Sequence, residues 1–272
     1  MQQEIVQFPP PVSPEPYGEL FALYAHLNLE KKRHQVLLER ARTLHMRYGA
    51  PVVVCTFARH PMELIAPEKA PRLLTTLEER ISLISHAGAD VFFAMPFDEQ
   101  MRDQPPECYV GELVRRLHPK AVVCGYNHSF GAGGSGSPAL LQALGAALGF
   151  EVSVVPPITL HGQEVSSTAI RQKLAQGDVS GARALLGRPY SRRVELTHGE
   201  NEWSLRLLDE EKQGLPAGKY RCVFSAGEKS LPVTVLLNGE TDGRLLLSGE
   251  EPSLQKSLNE GRGRLFFWQA AK

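Results

Sequence analysis

The sequence predicts an α/β protein in which a parallel sheet, covered by helices, is followed by a small β-rich domain. Two observations carry this. Short β-branched or apolar runs alternate with stretches of helical spacing as far as Val155, joined by short connections. After Tyr190 the pattern changes to short strand-like runs separated by glycine and charged turns, as at Asn238-Gly239 and Asp242-Gly243.

The elements follow in order. Residues 1–17 hold Pro9, Pro10, Pro11, Pro14 and Pro16 and read as an extended arm. A first strand fits Leu20 to Ala25. A helix runs from about Lys32 to Tyr48, with Val36, Leu37, Ala41 and Leu44 on its apolar face and Gly49 as its stop. Pro51 to Thr56 is the second strand. Thr75-Thr76-Leu77-Glu78 resembles a capping box opening a helix to about His86. Val91–Met95 is a strand, Pro106–Leu117 a helix, Ala121–Gly125 a strand, Pro138–Leu148 a helix and Glu151–Val155 the last parallel strand. Ile170–Ala175 and Val179–Leu186 form a helical pair closing a domain at 18–190. Within 191–272, strands fit Trp203–Leu208, Gly218–Ser225, Leu231–Leu237, Arg244–Leu247 and Arg264–Trp268, a small antiparallel barrel or sandwich.

Composition narrows the function classes. Lys plus Arg and Asp plus Glu are each 30 among 272 residues, so the formal net charge is zero, which argues against a nucleic-acid or anionic-membrane binder. No apolar run reaches the length of a membrane span, and none resembles a secretion signal. Cys55, Cys108, Cys124 and Cys222 are scattered without a C-x-x-C pair, so free thiols and no metal site are expected, in a reduced, cytoplasmic setting.

Chemistry is concentrated in three loops. Val165-Ser166-Ser167-Thr168-Ala169-Ile170-Arg171 sets three hydroxyl residues before a helix with an arginine in its first turn. Such hydroxyls either cap the helix or turn to an anion, which the helix dipole and an arginine fork both favour. Cys55-Thr56-Phe57-Ala58-Arg59-His60-Pro61 and Gly125-Tyr126-Asn127-His128-Ser129-Phe130-Gly131 each follow a strand. In open α/β sheets ligands bind at such carboxyl ends.

In these segments and their order, residues from about Leu20 to Tyr190 resemble the FMN adenylyltransferase (FAD synthetase) module of bacterial bifunctional riboflavin kinase/FAD synthetases. The resemblance rests on Thr56-Phe57 with His60-Pro61, Arg72-Leu73-Leu74-Thr75, Pro96-Phe97-Asp98, Gly125-Tyr126-Asn127 with Phe130-Gly131, the Ser-Ser-Thr segment, and Leu185-Leu186-Gly187-Arg188-Pro189-Tyr190. It implies a Rossmann-like nucleotidyltransferase sheet. It also implies in-line attack of the FMN phosphate on the α-phosphorus of ATP, with Mg²⁺ accompanying ATP. ATP and FMN would be the small-molecule partners, with neither nucleic acid nor membrane involved.

The resemblance also distributes roles. The family opens on a G-x-F-D-G-V-H-x-G-H loop whose histidines bind ATP phosphates. Here Lys31 takes the place of the first histidine, His34 keeps the second, Arg33 replaces the glycine between them, Leu29 another loop glycine, and Asn28 the aspartate. Lys31 and Arg33 either hold triphosphate charge in place of the histidine or form a basic, solvated helix start. Lys31, His34 and Arg171 are the candidate catalytic residues. Asn28, Arg33, Gly125, Asn127, Ser166, Ser167 and Thr168 are candidates for ATP, and Phe57, His60, Pro61 and Phe130 for the flavin. Each has a plainer reading as well: Asn127 as a turn residue, Phe130 as core, His60 as a structural turn histidine.

Residues 191–272 occupy the riboflavin kinase position. The Pro-Thr-Ala-Asn motif of that module occurs nowhere, and His198-Gly199-Glu200-Asn201-Glu202-Trp203 fills the comparable stretch. Kinase activity is therefore not expected, and the domain is a candidate for self-association or a protein partner. Two alternatives stay open: a flavin- or nucleotide-binding homologue without turnover, and a nucleotidyltransferase with another phosphate acceptor, since Ala58 and Arg59 replace the family's Asp and Pro.

Overall fold

The alternation of apolar runs and helices folds into the expected parallel sheet. A computed structural model describes residues 5–7, 21–24, 31–157, 159–160, 163–199, 202–246 and 260–271, with the main chain alone at 5–7, 21–24, 31–35, 160, 163 and 164. The sheet contains β1 (Ile5–Gln7), β2 (Phe21–Tyr24), β3 (Val52–Phe57), β4 (Val91–Met95), β5 (Ala121–Gly125) and β6 (Glu151–Val155), in the order β1-β4-β3-β2-β5-β6. All neighbours are parallel except β1, which pairs antiparallel with β4, Ile5 opposite Phe93. Every residue of β3, β4 and β5 is buried, which is why these segments read as unbroken apolar runs rather than alternating ones.

The strand order positions the site. From β2 the chain steps to one side through β3 and β4, then returns to place β5 on the other side of β2. Such a switch point opens a crevice at the carboxyl ends of the strands. The helices of this region are α1 (Lys31–Tyr48), α2 (Met62–Ile65), α3 (Leu77–His86), α4 (Glu99–Asp103), α5 (Pro106–Leu117) and α6 (Pro138–Leu148). On α1, Leu37, Leu38, Ala41 and Leu44 are buried, while Val36, expected in the core, is 37% exposed. The short α2 and α4 lack enough residues to show a helical period and were not expected.

The described residues fall into two compact units, one within Met1–Leu27, Arg33–Pro71 and Leu77–Ile158, the other within Asn28–Lys32, Arg72–Thr76 and Thr159–Lys272. The second begins with the hairpin β7 (Thr159–Leu160) and β8 (Gln163–Glu164), then α7 (Ser167–Ala175) and α8 (Val179–Leu186). Strands β9 (Tyr190–His198), β10 (Trp203–Leu207), β11 (Gly218–Ala226), β12 (Lys229–Leu237), β13 (Asp242–Leu246) and β14 (Gly261–Ala270) follow. They close an antiparallel barrel in the order β10-β13-β12-β11-β14-β9, so of the two β architectures left open by the sequence the barrel is present. Along β10 burial alternates residue by residue, the signature of a strand with one face inside a barrel. The helical pair that the sequence groups with 18–190 contributes Ile170, Leu174, Val179, Ala182, Leu185 and Leu186 to the same core cluster as Val194, Leu196 and Phe267 of the barrel.

Candidate active site

In the first unit, polar and aromatic groups gather where the strands end. Ala58 N–H donates to Met95 O at 2.9 Å, carrying the β3–β4 pairing one residue past the strand. Arg80, on α3, then holds the chain: its Nη1 donates to Phe57 O and its Nη2 to Ala58 O, both at 3.1 Å. Burial lowers the Arg80 guanidinium from its ordinary pKa, with the Glu63 carboxylate opposing the shift, and an arginine remains a cation through it.

The loop after β5 is shaped by close approaches. His128 N–H bonds to Gly125 O at 3.0 Å, closing a turn that leaves Asn127 exposed. Phe130 and Gly136 exchange main-chain hydrogen bonds at 2.8 and 3.2 Å, and a Cβ on Gly136 would lie 2.5 Å from the Phe130 ring. Gly131 adopts φ 72°, and a Cβ there would stand 2.6 Å from Pro106 Cα. Only glycine satisfies both demands, so the loop seats directly on the start of α5.

These loops enclose a cavity of about 460 Å³. Its aromatic wall consists of Phe57, Phe97, Tyr109 and Phe130, with Pro61 and Ile65 beside them. The Phe57 and Phe97 rings meet edge to face at 4.9 Å, and Phe130 is backed by the His128 ring at 5.4 Å. Ser129, Arg102 and Asp103 supply polar lining. Arg102 and Asp103 form a two-point pair at 2.8 and 2.7 Å, and the hydrogen bond from Arg102 holds the Asp103 carboxyl below its ordinary pKa. A planar, mostly apolar group with a few polar substituents fits such a lining.

The hydroxyl-rich helix start lies in the second unit. Ser166 is extended (φ −135°, ψ 151°) and its hydroxyl accepts the Ala169 N–H at 3.2 Å, so this side chain caps α7. Ser167 and Thr168 occupy the first turn, which carries no acidic residue. Val165 and Ile170 are buried and anchor the helix start. Arg171 Nε donates to Arg72 O at 2.7 Å, which fixes one edge of its guanidinium.

The sequence-derived candidates thus separate into groups. Phe57, Pro61 and Phe130 share the cavity. Gly125 ends β5 and Asn127 stands in the loop that leads to it. The His60 ring accepts the Met62 N–H at 3.2 Å, and His60 is not among the cavity's lining residues. Ser166, Ser167, Thr168 and Arg171 stand together on α7. Lys31, Arg33 and His34 lie in the first turn of α1, but their side chains fall outside the described residues, as does Asn28 entirely. Sequence reasoning missed Phe97, Met101, Tyr109 and Arg80. Phe97 carried a signal in Pro96-Phe97-Asp98, whereas Tyr109 and Arg80 reach the site from helices with nothing local to mark them.

Comparison with known proteins decides the family. Residues 32–169 match the FAD synthetase family model. The chain belongs to the FAD synthetase family. A family relative from Escherichia coli (strain K12), a bifunctional riboflavin kinase/FMN adenylyltransferase, is 32% identical over 168 residues, 61% of this chain and 54% of the relative. One of the same name from Listeria monocytogenes serovar 1/2a is 30% identical over 168 residues, 61% of this chain and 53% of the relative. The chain therefore spans about half the length of the curated FAD synthetase relatives it matches. A crystal structure of a macrolide-efflux protein from Streptococcus pneumoniae shares the fold, with a TM-score of 0.80 at 19% identity over 94% of this chain and 86% of that one.

Proposed function

We propose that the chain is an FMN adenylyltransferase, transferring AMP from ATP to FMN to give FAD and pyrophosphate. The observation that carries the proposal is the aromatic cavity walled by Phe57, Phe97, Tyr109 and Phe130, in a chain of the FAD synthetase family. The names of the relatives from Escherichia coli and Listeria monocytogenes support the same reading.

In this reaction an FMN phosphate oxygen bonds to the α-phosphorus of ATP while the bond from that phosphorus to the bridging α–β oxygen breaks, and pyrophosphate leaves with the electron pair. Such a step needs alignment and charge stabilisation rather than a protein nucleophile. Arg171 supplies fixed positive charge, and the Ser167 and Thr168 hydroxyls, with the main chain at the start of α7 that Ser166 caps, meet the triphosphate. The family resemblance gives Lys31, Arg33 and His34 the role of neutralising triphosphate charge, and Asn28 a nucleotide contact. Gly125 and Asn127 hold ribose or phosphate oxygen. Phe57, Pro61 and Phe130 pack on the isoalloxazine, with His60 at the edge of that loop. Mg²⁺ bound with ATP would supply charge neutralisation at the phosphates. The described residues gather no cluster of His, Cys, Asp and Glu to hold it independently. No described helix is long and apolar enough to cross a membrane, and we place the enzyme in the cytoplasm.

The test is incubation of the full chain with ATP, Mg²⁺ and FMN, followed by chromatography for FAD and pyrophosphate. FAD formation is expected. Pyrophosphate released only with another phosphate acceptor would move the substrate and keep the chemistry. The replacement of the family's first histidine by Lys31 favours one second reading, a homologue that binds without turnover. ATP and FMN binding with no product of either kind would establish that reading and end this one.

A further inference from the structure

The barrel unit buries a polar cluster that the proposed chemistry leaves unused. Arg192, Asp209 and Lys212 are exposed by 1%, 0% and 1%. Arg192 Nε donates to Asp209 Oδ1 at 2.6 Å and its Nη2 to Asp209 O at 2.9 Å, while Asp209 Oδ2 accepts the Arg193 N–H at 2.9 Å. Lys212 Nζ donates to Ser191 O at 2.6 Å, and the Tyr190 hydroxyl donates to Gln213 O at 2.6 Å. A buried ion pair is a poor source of stability, because well-packed apolar residues often do as well or better. What this cluster does accomplish is to lock the turn 209–213 onto the first residues of β9.

That turn grips residues 72–76, which belong to the same unit. Leu73 N–H donates to Glu211 O and Gln213 N–H donates to Leu73 O, both at 2.8 Å, on either side of a parallel bridge between Leu73 and Lys212. Arg72 Nη1 also donates to Glu210 O. Leu74 and Thr75 are buried. The Arg72 carbonyl, one residue before Leu73, is the group that accepts Arg171 Nε at 2.7 Å. From Asp209 to Arg171 every link is a hydrogen bond or a short run of main chain.

We propose that Arg192 and Asp209 are positioning residues for Arg171, and that the barrel without its kinase motif serves to set the plane of that guanidinium. The group is rigid and planar, so fixing Nε on a held carbonyl fixes where its terminal nitrogens point. The inference rests on the triphosphate reading of α7. It explains why an unusually polar interior sits behind a turn with no chemistry of its own.

The experiment compares the full chain with Arg171→Ala, with the double variant Arg192→Met/Asp209→Leu, and with the triple combination. MgATP affinity is measured by calorimetry, FMN affinity by fluorescence, and folding by thermal denaturation. The apolar double variant is expected to fold and to bind FMN as before, but to bind MgATP about tenfold more weakly, the scale of one charged hydrogen bond. Adding Arg171→Ala to it is expected to cost far less than Arg171→Ala alone, the non-additivity of coupled sites. The Arg171 Nε–H resonance should lose its exchange protection in the double variant. If the double variant does not fold, Leu73→Pro removes one bond of the chain with the ion pair intact and should give the same MgATP loss. Unchanged MgATP affinity in the folded double variant or in Leu73→Pro, with Arg171→Ala still damaging, would overturn this inference alone. Unchanged affinity in Arg171→Ala itself would overturn the triphosphate reading and this inference with it.

Discussion

The two units place their polar groups in opposite ways. In the sheet unit β3, β4 and β5 are buried throughout, and the site chemistry gathers at the strand ends around an aromatic cavity. In the barrel unit Arg192 and Lys212 are among the largest fully buried side chains of the protein. The difference teaches that polarity does two jobs here. At the rim of the sheet it lines a cavity, while inside the barrel it fixes the course of a turn.

The sharpest way to break this comparison is Asp209→Ala. It leaves Arg192 buried without its carboxylate and should cost about 3–5 kcal/mol in chemical denaturation, where a loss below about 1 kcal/mol would show that the interior polarity fixes nothing. Next comes Gly131→Ala, which forces a side chain into φ 72° against Pro106. It should lose about 1–3 kcal/mol and weaken FMN binding, since the Phe130 loop must lift from α5. Arg80→Met should cost about 1–2 kcal/mol by releasing the Phe57 and Ala58 carbonyls, and should weaken FMN while leaving MgATP binding intact.

The smallest effect concerns the thiols. Burial pushes the Cys55 thiol up to about 12 and the Cys124 thiol up to about 11, whereas Cys108 is exposed. A disulfide reagent should therefore modify Cys108 at once and the buried Cys55, Cys124 and Cys222 only on unfolding. Because the folded values are raised, the Cys55 and Cys124 thiols' share of stability is complete below the ordinary value of about 8.5. It is lost as pH climbs through about 11 and 12, so melting curves should show no thiol-linked change near neutrality and a decline in alkali.

The sequence made most of the sheet unit legible because its signals are local. Val91–Met95 and Ala121–Gly125 stand as expected, since a strand buried on both faces declares itself by composition alone, and Glu151–Val155 also stands as expected although only Val155 of it is buried. The expected strands of 191–272 began at Trp203 and omitted β9, because the buried Ser191 and Arg192 interrupt its apolar pattern. Arg192 is tolerable there only through Asp209, seventeen residues away, a partner that no local pattern reveals. The site followed the same rule. Phe57, Pro61 and Phe130 came from motifs and share one cavity, whereas Tyr109 and Met101 complete its wall from helices chosen by the fold. The α7 segment was legible as a helix start, and Ser166 proved to spend its hydroxyl on the cap.

Closure of the six-stranded barrel has a consequence for how this region can meet other molecules. Among the described residues each barrel strand pairs with a neighbour on both sides, β12 with β13 over Thr234–Leu237, so along those stretches the ring offers no edge to which a further strand could be added. Along those stretches the sheet cannot be extended by pairing, the commonest route by which β-rich domains polymerise. What recognises those paired stretches does so through side chains and loops. The contacts can therefore change by substitution at single positions without any change of register within.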